Sequence, residues 1–141
     1  DSLKTLLAEQ GLAVLSTQST GQPYANLVAF AASSDGSEIW FATQRATRKY
    51  ANLLADKRAA MLIDNRANQA ADVHQAMAAT ATGSVRELQG EARAQAAHKL
   101  LSRHPYLTDF VSAPTCAVLQ LHVNTYYVVE HFQQVTEYHL S

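Results

Sequence analysis

Three runs of strand-forming residues follow one another between Leu12 and Thr43, with only turn-sized polar clusters between them. That spacing confines this part of the chain to hairpins. Leu12 to Thr17 reads as one strand, and Gln18-Ser19-Thr20-Gly21-Gln22-Pro23 is a turn. Tyr24 to Ala32 then alternates, with Tyr24, Asn26, Val28 and Phe30 on one face, so the first two strands pair. Ser33-Ser34-Asp35-Gly36-Ser37 carries an Asp-Gly turn signal into a third strand, Glu38 to Thr43, where Ile39, Trp40 and Phe41 are strong strand formers.

The remaining pattern is compatible with the same sheet. Leu3, Leu6 and Leu7 mark a short amphipathic helix that stops at Gly11. A second helix runs from Thr47 to about Asp56, with Tyr50, Leu53 and Leu54 on one face. Ala59 to Ile63 is a continuous apolar run, the pattern of a strand covered on both faces. Asn65 to Met77 reads as a long loop with a helical turn near Ala76. Ala78 to Leu88 sets Thr80, Thr82, Ser84 and Arg86 against the small residues Ala79, Ala81, Gly83 and Val85. Such a face admits a close backbone or a flat ligand, and an edge strand under a helix has the same look. Glu91 to about Arg103 is a third helix that ends before His104-Pro105, because the residue before proline avoids the α region. Thr115 to Val129 is a long strand with a bend near Asn124-Thr125, and Val135 to Tyr138 is a final short one. The sum is a mainly β chain with flanking helices, one domain over residues 1–141, in which an antiparallel sheet curls into a small barrel.

One junction carries chemistry. Between the third strand and the second helix lies Thr43-Gln44-Arg45-Ala46-Thr47-Arg48-Lys49. Thr47 is a residue type that accepts an orphan N–H of a first turn, which makes Arg48 and Lys49 first-turn cations. The helix dipole disfavours cations there, so their presence points to an anion. Backbone N–H groups, a hydroxyl and two cations suit a phosphate or a carboxylate. A solvated surface pair is the other reading.

Elsewhere the residues exclude more than they assign. Formal net charge is −1, so no global field favours nucleic acid or an anionic membrane. No apolar run approaches the roughly 18 residues needed to span a bilayer, and Asp1 to Gln10 lacks the pattern of a signal peptide, which gives a cytoplasmic expectation. Cys116 is the only cysteine and sits in a strand as a core residue. The six histidines show neither HExxH nor i, i+4 spacing, so no metal site is expected. Asp64 orients Arg66 or caps a turn.

The order of elements, together with several segments, resembles the FMN-binding split-barrel proteins related to pyridoxamine 5′-phosphate oxidase. Those segments are Gly11 to Thr17, Gly21 to Val28, Trp40-Phe41-Ala42-Thr43 with Thr47-Arg48-Lys49, Asn52 to Asp56, Ala81 to Val85, His104 to Leu107 and Tyr126 to Val129. The likeness is strongest to small members near the haem-utilisation branch. It implies a six-stranded antiparallel split barrel that forms a homodimer with FMN at the subunit interface. Under the resemblance Thr43, Thr47, Arg48 and Lys49 hold the FMN phosphate, Asn26, Leu27 and Val28 meet the isoalloxazine ring, and Ala42 also belongs to the cofactor site.

Departures narrow the implied function. The oxidase has a basic residue and a lysine bracketing the flavin-contacting strand, where this chain reads Ala25-Asn26-Leu27-Val28-Ala29-Phe30. The oxidase's C-terminal Trp and Arg-rich substrate segment has no counterpart before Ser141, so pyridoxamine phosphate is not the implied substrate. Haem-degrading members use a ligand for which His139, and more distantly His131, are the candidates here. Two readings follow: an FMN-dependent oxidoreductase with an unidentified small substrate, or a non-catalytic FMN-binding or haem-handling protein. No catalytic residue is singled out. Ala79, Ala81 and Gly83 with Trp40 and Tyr126 are expected near the ring, with a second subunit completing its cover.

Overall fold

The computed structural model describes residues 2–131 and 134–140, so Asp1 and Ser141, the ends of the expected domain, lie outside the described residues. The strands are β1 (Leu12–Ser19), β2 (Gln22–Ala32), β3 (Glu38–Gln44), β4 (Arg58–Asp64), β5 (Ala78–Glu87), β6 (Cys116–Glu130) and β7 (Gln134–His139). The helices are α1 (Ser2–Glu9), α2 (Arg48–Ala55), α3 (Asp72–Gln75), α4 (Gly90–Arg103) and α5 (Thr108–Ser112). The strand order is β3-β2-β1-β4-β5-β6-β7, and β3 also pairs with β6. That extra pairing closes six antiparallel strands into a barrel.

Strand β6 does two jobs because it is 15 residues long. One edge pairs with β5 from Leu119 to Val129. Its other edge pairs with β3 over Cys116 to His122 and then with β7 over Thr125 to Glu130. The expected bend is a bulge: Thr82 faces Thr125 and Gly83 faces Val123, which leaves Asn124 as the extra residue. The bulge resets the inward phase, from Ala117, Leu119, Leu121 and Val123 to Tyr126 and Val128. A Cβ on Gly83 would lie 1.9 Å from the His122 carbonyl oxygen, so only glycine fits there.

The barrel interior is filled by Leu15, Phe30, Ile39, Phe41, Met61, Ile63 and Leu121, all fully buried, and Leu3, Leu6 and Leu7 of α1 join the same cluster at one end. Arg103, at the end of α4, donates to the carbonyls of Leu7, Ala8 and Gln10, and to that of Phe30. It thereby satisfies α1 carbonyls that a helix end leaves open. A second cluster packs α4 (Ala96, Leu100) on the outer side of β3 and β6 (Trp40, Val118).

Three sequence readings change. The first turn shrinks to Thr20-Gly21, both at positive φ (55° and 82°), the hand that suits the strand twist, so pairing runs out to Ser19 and Gln22. Strand β4 is not covered on both faces: Ala59, Met61 and Ile63 point inward, while Ala60 and Leu62 are half-buried on the outside. The small residues Ala79 and Ala81 are fully buried inside the barrel, in the cluster that also holds Phe30, Phe41 and Tyr126. The loop at 65–77 carries α3, whose Asp72 accepts from the N–H groups of Ala67 and Gln69, while α5 was not legible.

Candidate functional site

The barrel opens between β2 and β3. These strands pair only at Phe30–Phe41, Ala31–Trp40 and Ala32–Ile39. Beyond that point β3 stays with β6, where Ala42 faces Val118 and Thr43 faces Ala117. Strand β2 instead follows β1 out to the hairpin tip, Ser19 facing Gln22. Residues 22–29 therefore have no strand partner on their β3-facing edge among the described residues. Alternate backbone N–H and C=O groups on that edge are open to a ligand or to another chain.

The cationic junction sits at the β3 side of this split. Thr47 is the N-cap of α2, extended at φ −130°, and its hydroxyl accepts from Tyr50 N at 3.3 Å. The Thr47 hydroxyl also donates to Gln44 O at 2.9 Å and lies 3.2 Å from Thr43 Oγ1. Thr43 is buried, so its place is to hold Thr47. Of the three cations, Arg45 is already neutralised: it pairs with Glu87 at 2.6 Å and donates to Pro114 O at 2.9 Å. Glu87 also takes the Tyr50 hydroxyl at 2.5 Å. Arg48 is exposed and leans over the Tyr24 ring of β2, its guanidinium carbon 5.8 Å from the ring centroid. Lys49 is half-buried, and loss of hydration pushes its ammonium below the usual lysine value. No carboxylate among the described residues pairs with Arg48 or Lys49, and the first turn of α2 holds no acidic residue.

On β2 the expected flavin-facing residues diverge. Asn26 sits opposite Leu15, and its side-chain carbonyl is buried without a hydrogen-bond partner. Leu27 is 63% exposed on the outer face. Val28 is buried in the barrel opposite Ala13, and Ala42 packs half-buried against the cluster under α4, so each offers the split its backbone. The structure thus gathers Thr43, Thr47, Arg48 and Lys49 at one corner and ties that corner to β2 through Tyr24.

The aromatic and small residues expected near the ring are elsewhere. Trp40 lies under α4, donating to Gln120 Oε1 at 2.9 Å with Lys99 4.7 Å from its ring. Tyr126 is buried and donates to Gly36 O at 2.6 Å; burial pushes its phenol up. Ala79, Ala81 and Gly83 face the interior. Alternation identifies a shared face, but the direction in which the sheet curls decides which face is inside.

Two surface features escaped the sequence. A cleft of about 820 Å³ adjoins Arg48, lined by Ser19, Thr20, Gln22, Pro23, Tyr24, Ala51 and Asn52. Separately, the register aligns Leu27, Val14, Leu62, Thr80 and Tyr127 in one row across the outer faces of β2, β1, β4, β5 and β6. The continuous apolar run at 59–63 was the signal for that row. The histidines stay dispersed: His104 is buried against Phe30 O at 2.8 Å, His122 meets Glu38 at 2.7 Å, and His139 meets Thr125 and Glu137 at 3.2 Å. His131 is exposed. No group of three His, Cys, Asp or Glu residues suited to a metal ion occurs among the described residues. Cys116 is buried, which pushes its thiol up. Asp64 both pairs with Arg66 at 3.1 Å and accepts its backbone N–H. No helix among the described residues is long and apolar enough to cross a membrane.

Comparison with known proteins agrees with the barrel fold. A haem-binding protein from Mycobacterium smegmatis superposes with a TM-score of 0.86 at 19% identity, over 96% of this chain and 55% of its own; this chain thus spans about half of that protein. The haem storage protein HutZ of Vibrio cholerae gives 0.76 at 13% identity, over 86% of this chain and 87% of its own. An FAD-binding protein from Mesorhizobium loti gives 0.74 at 16% identity, over 90% and 89%. These likenesses establish a shared fold. No curated protein matches the chain by sequence. The sequence model described as pyridoxamine 5′-phosphate oxidase matches residues 1–130, and the chain belongs to that family.

Proposed function

We propose that the chain is an FMN-binding flavoprotein that works as a homodimer, a flavin-dependent oxidoreductase acting on a small substrate. The observation that carries this reading is the unpaired Arg48 and Lys49 on an acid-free first turn, beside the open edge of β2. Thr47, Arg48 and Lys49 would take the phosphate, with Thr43 fixing Thr47 from behind. The unpartnered carbonyl of Asn26 supplies an acceptor, and the backbone of Leu27 and its neighbours supplies further polar groups, which suits the donor and acceptor edge of a flavin. When bound, the flavin supplies the electron transfer. The chain's own part is to bind, orient and exclude water.

The outer row through Leu27, Val14 and Leu62 supports the dimer, because an exposed apolar strip on a barrel is an interaction surface. Leu27 belongs to both features, so a second copy on this row would border the split. Titration of the purified protein with FMN and riboflavin, followed by reoxidation of the reduced flavin with a panel of small acceptors, tests the reading. Failure to bind FMN would refute it, and binding without turnover on any acceptor would leave a carrier or sensor.

Haem handling is the second reading, supported by the descriptions of two similar structures and by exposed His139 on β7. Addition of hemin should then produce a Soret shift that His139→Ala abolishes.

A further inference from the structure

Arg48 is exposed at the first position of α2, and among the described residues its side chain has neither a hydrogen bond nor an ion pair. What holds it is a ring. Its guanidinium carbon lies 5.8 Å from the centroid of Tyr24, a residue of the β2 stretch that has no strand partner on its β3-facing edge among the described residues. Tyr24 is 37% exposed, and its hydroxyl makes no hydrogen bond among the described residues, so the face of the ring is the part in use. The cleft of about 820 Å³ around this pair gives the guanidinium little other support: Ala51 ends at its Cβ, and the amide of Asn52 is engaged with Thr17 Oγ1 at 3.1 Å.

The way a cation is held decides what it can still bind. A carboxylate neutralises the charge and occupies donors, as Glu87 does for Arg45 at 2.6 Å, with the Pro114 carbonyl taking another donor at 2.9 Å. An aromatic face does neither. It attracts the cation through the ring's quadrupole, while the N–H groups stay in the guanidinium plane, open to a phosphate oxygen. It also restrains a side chain whose rotamer entropy is among the largest of any residue, so part of the ordering cost is met before a ligand arrives.

We propose that Tyr24 is a positioning residue for phosphate recognition: its ring holds Arg48 in place with charge and donors free for the single phosphate of FMN. This role rests on the flavin reading of the junction. Tyr24 acts through Arg48 alone, so a residue of β2 sets how tightly a cradle on α2 binds.

The test titrates the wild type, Tyr24→Phe, Tyr24→Leu, Arg48→Ala and the double variant Tyr24→Leu with Arg48→Ala, each with FMN and with riboflavin. Tyr24→Leu keeps apolar bulk but removes the ring, so it should weaken FMN by about threefold to fivefold, the worth of an exposed cation–π contact, and riboflavin by less than about twofold. Tyr24→Phe keeps the ring and should bind FMN as the wild type does. In the Arg48→Ala background Tyr24→Leu should have no further effect, because the side chain it orients is gone. An unchanged or tighter FMN affinity in Tyr24→Leu, an equal loss for FMN and riboflavin, a loss in Tyr24→Phe as large as in Tyr24→Leu, or the same loss with and without Arg48 would overturn this role and leave the FMN reading intact. A folded wild type that bound neither flavin would overturn both.

Discussion

The Tyr50 hydroxyl donates a 2.5 Å hydrogen bond to the Glu87 carboxylate, which ties the first turn of α2 to the end of β5. Arg45 closes the same knot from the other side of the turn at 2.6 Å. The three side chains therefore clamp both ends of the segment that presents Thr47, Arg48 and Lys49.

That clamp has an acid-side signature. Burial pushes the Glu87 carboxyl up, but the bonds from Tyr50 and Arg45 outweigh it and hold the group below its reference value of 4.5. A depressed carboxyl adds stability above its unfolded value and loses it as pH falls through the folded one. Glu87→Gln should cost about 1 kcal/mol at pH 7, discounted for partial exposure, or ~4 °C in Tm. The gap between wild type and variant should close progressively below pH 4.5. Thermal melts from pH 7 to pH 3 check it, and a gap independent of pH would remove Glu87 from this role.

Phosphate recognition is tested by the difference between two ligands. Arg48→Ala or Lys49→Ala should weaken FMN by about tenfold to a hundredfold, the worth of a charge-assisted hydrogen bond. Riboflavin, which lacks the phosphate, should change less than about twofold. Fluorescence titration reads both, and an equal loss for the two ligands would contradict the assignment.

Gly83→Ala places a methyl group where the His122 carbonyl already lies, 1.9 Å away. Backbone cannot yield as a side-chain end does, so the substitution should cost about 3 kcal/mol or more and lower Tm by ~10 °C. Calorimetry on the purified variant decides it; a wild-type Tm would mean that the bulge has another form.

A charge in the outer row should separate the proposed subunits. Leu27 is 63% exposed, so Leu27→Asp costs the barrel little, yet it puts a carboxylate into the apolar row at the end that borders the split. Light scattering should show a monomer, with FMN weakened at least about tenfold because the split loses its neighbour. A wild-type monomer that bound FMN stoichiometrically would dismiss the shared site.

Local pattern made most of the barrel legible. Thr47 was readable as an N-cap because its hydroxyl chemistry is local, and the bend near Asn124 because polar residues interrupt an alternating run. What escaped depends on residues far apart in the chain. Nothing near Arg45 announces Glu87, 42 positions on, so its neutralisation and the clamp it forms were not readable from the junction itself. Ala79 and Ala81 looked like a ligand surface because alternation carries no sign for inside and outside. The β2–β3 split is a difference between two pairings, and no single strand encodes it.

Seven residue pairs join β3 to β6, and three join it to β2. The barrel's closure is therefore uneven, and local opening should begin at the weaker seam. In amide hydrogen exchange, residues 30–32 and 39–41 should lose protection on the β2–β3 side before residues 116–122 lose theirs. A molecule lodged in the split bridges the seam with the least protection of its own, so occupancy should register there first, as slowed exchange, ahead of any change in the rest of the sheet.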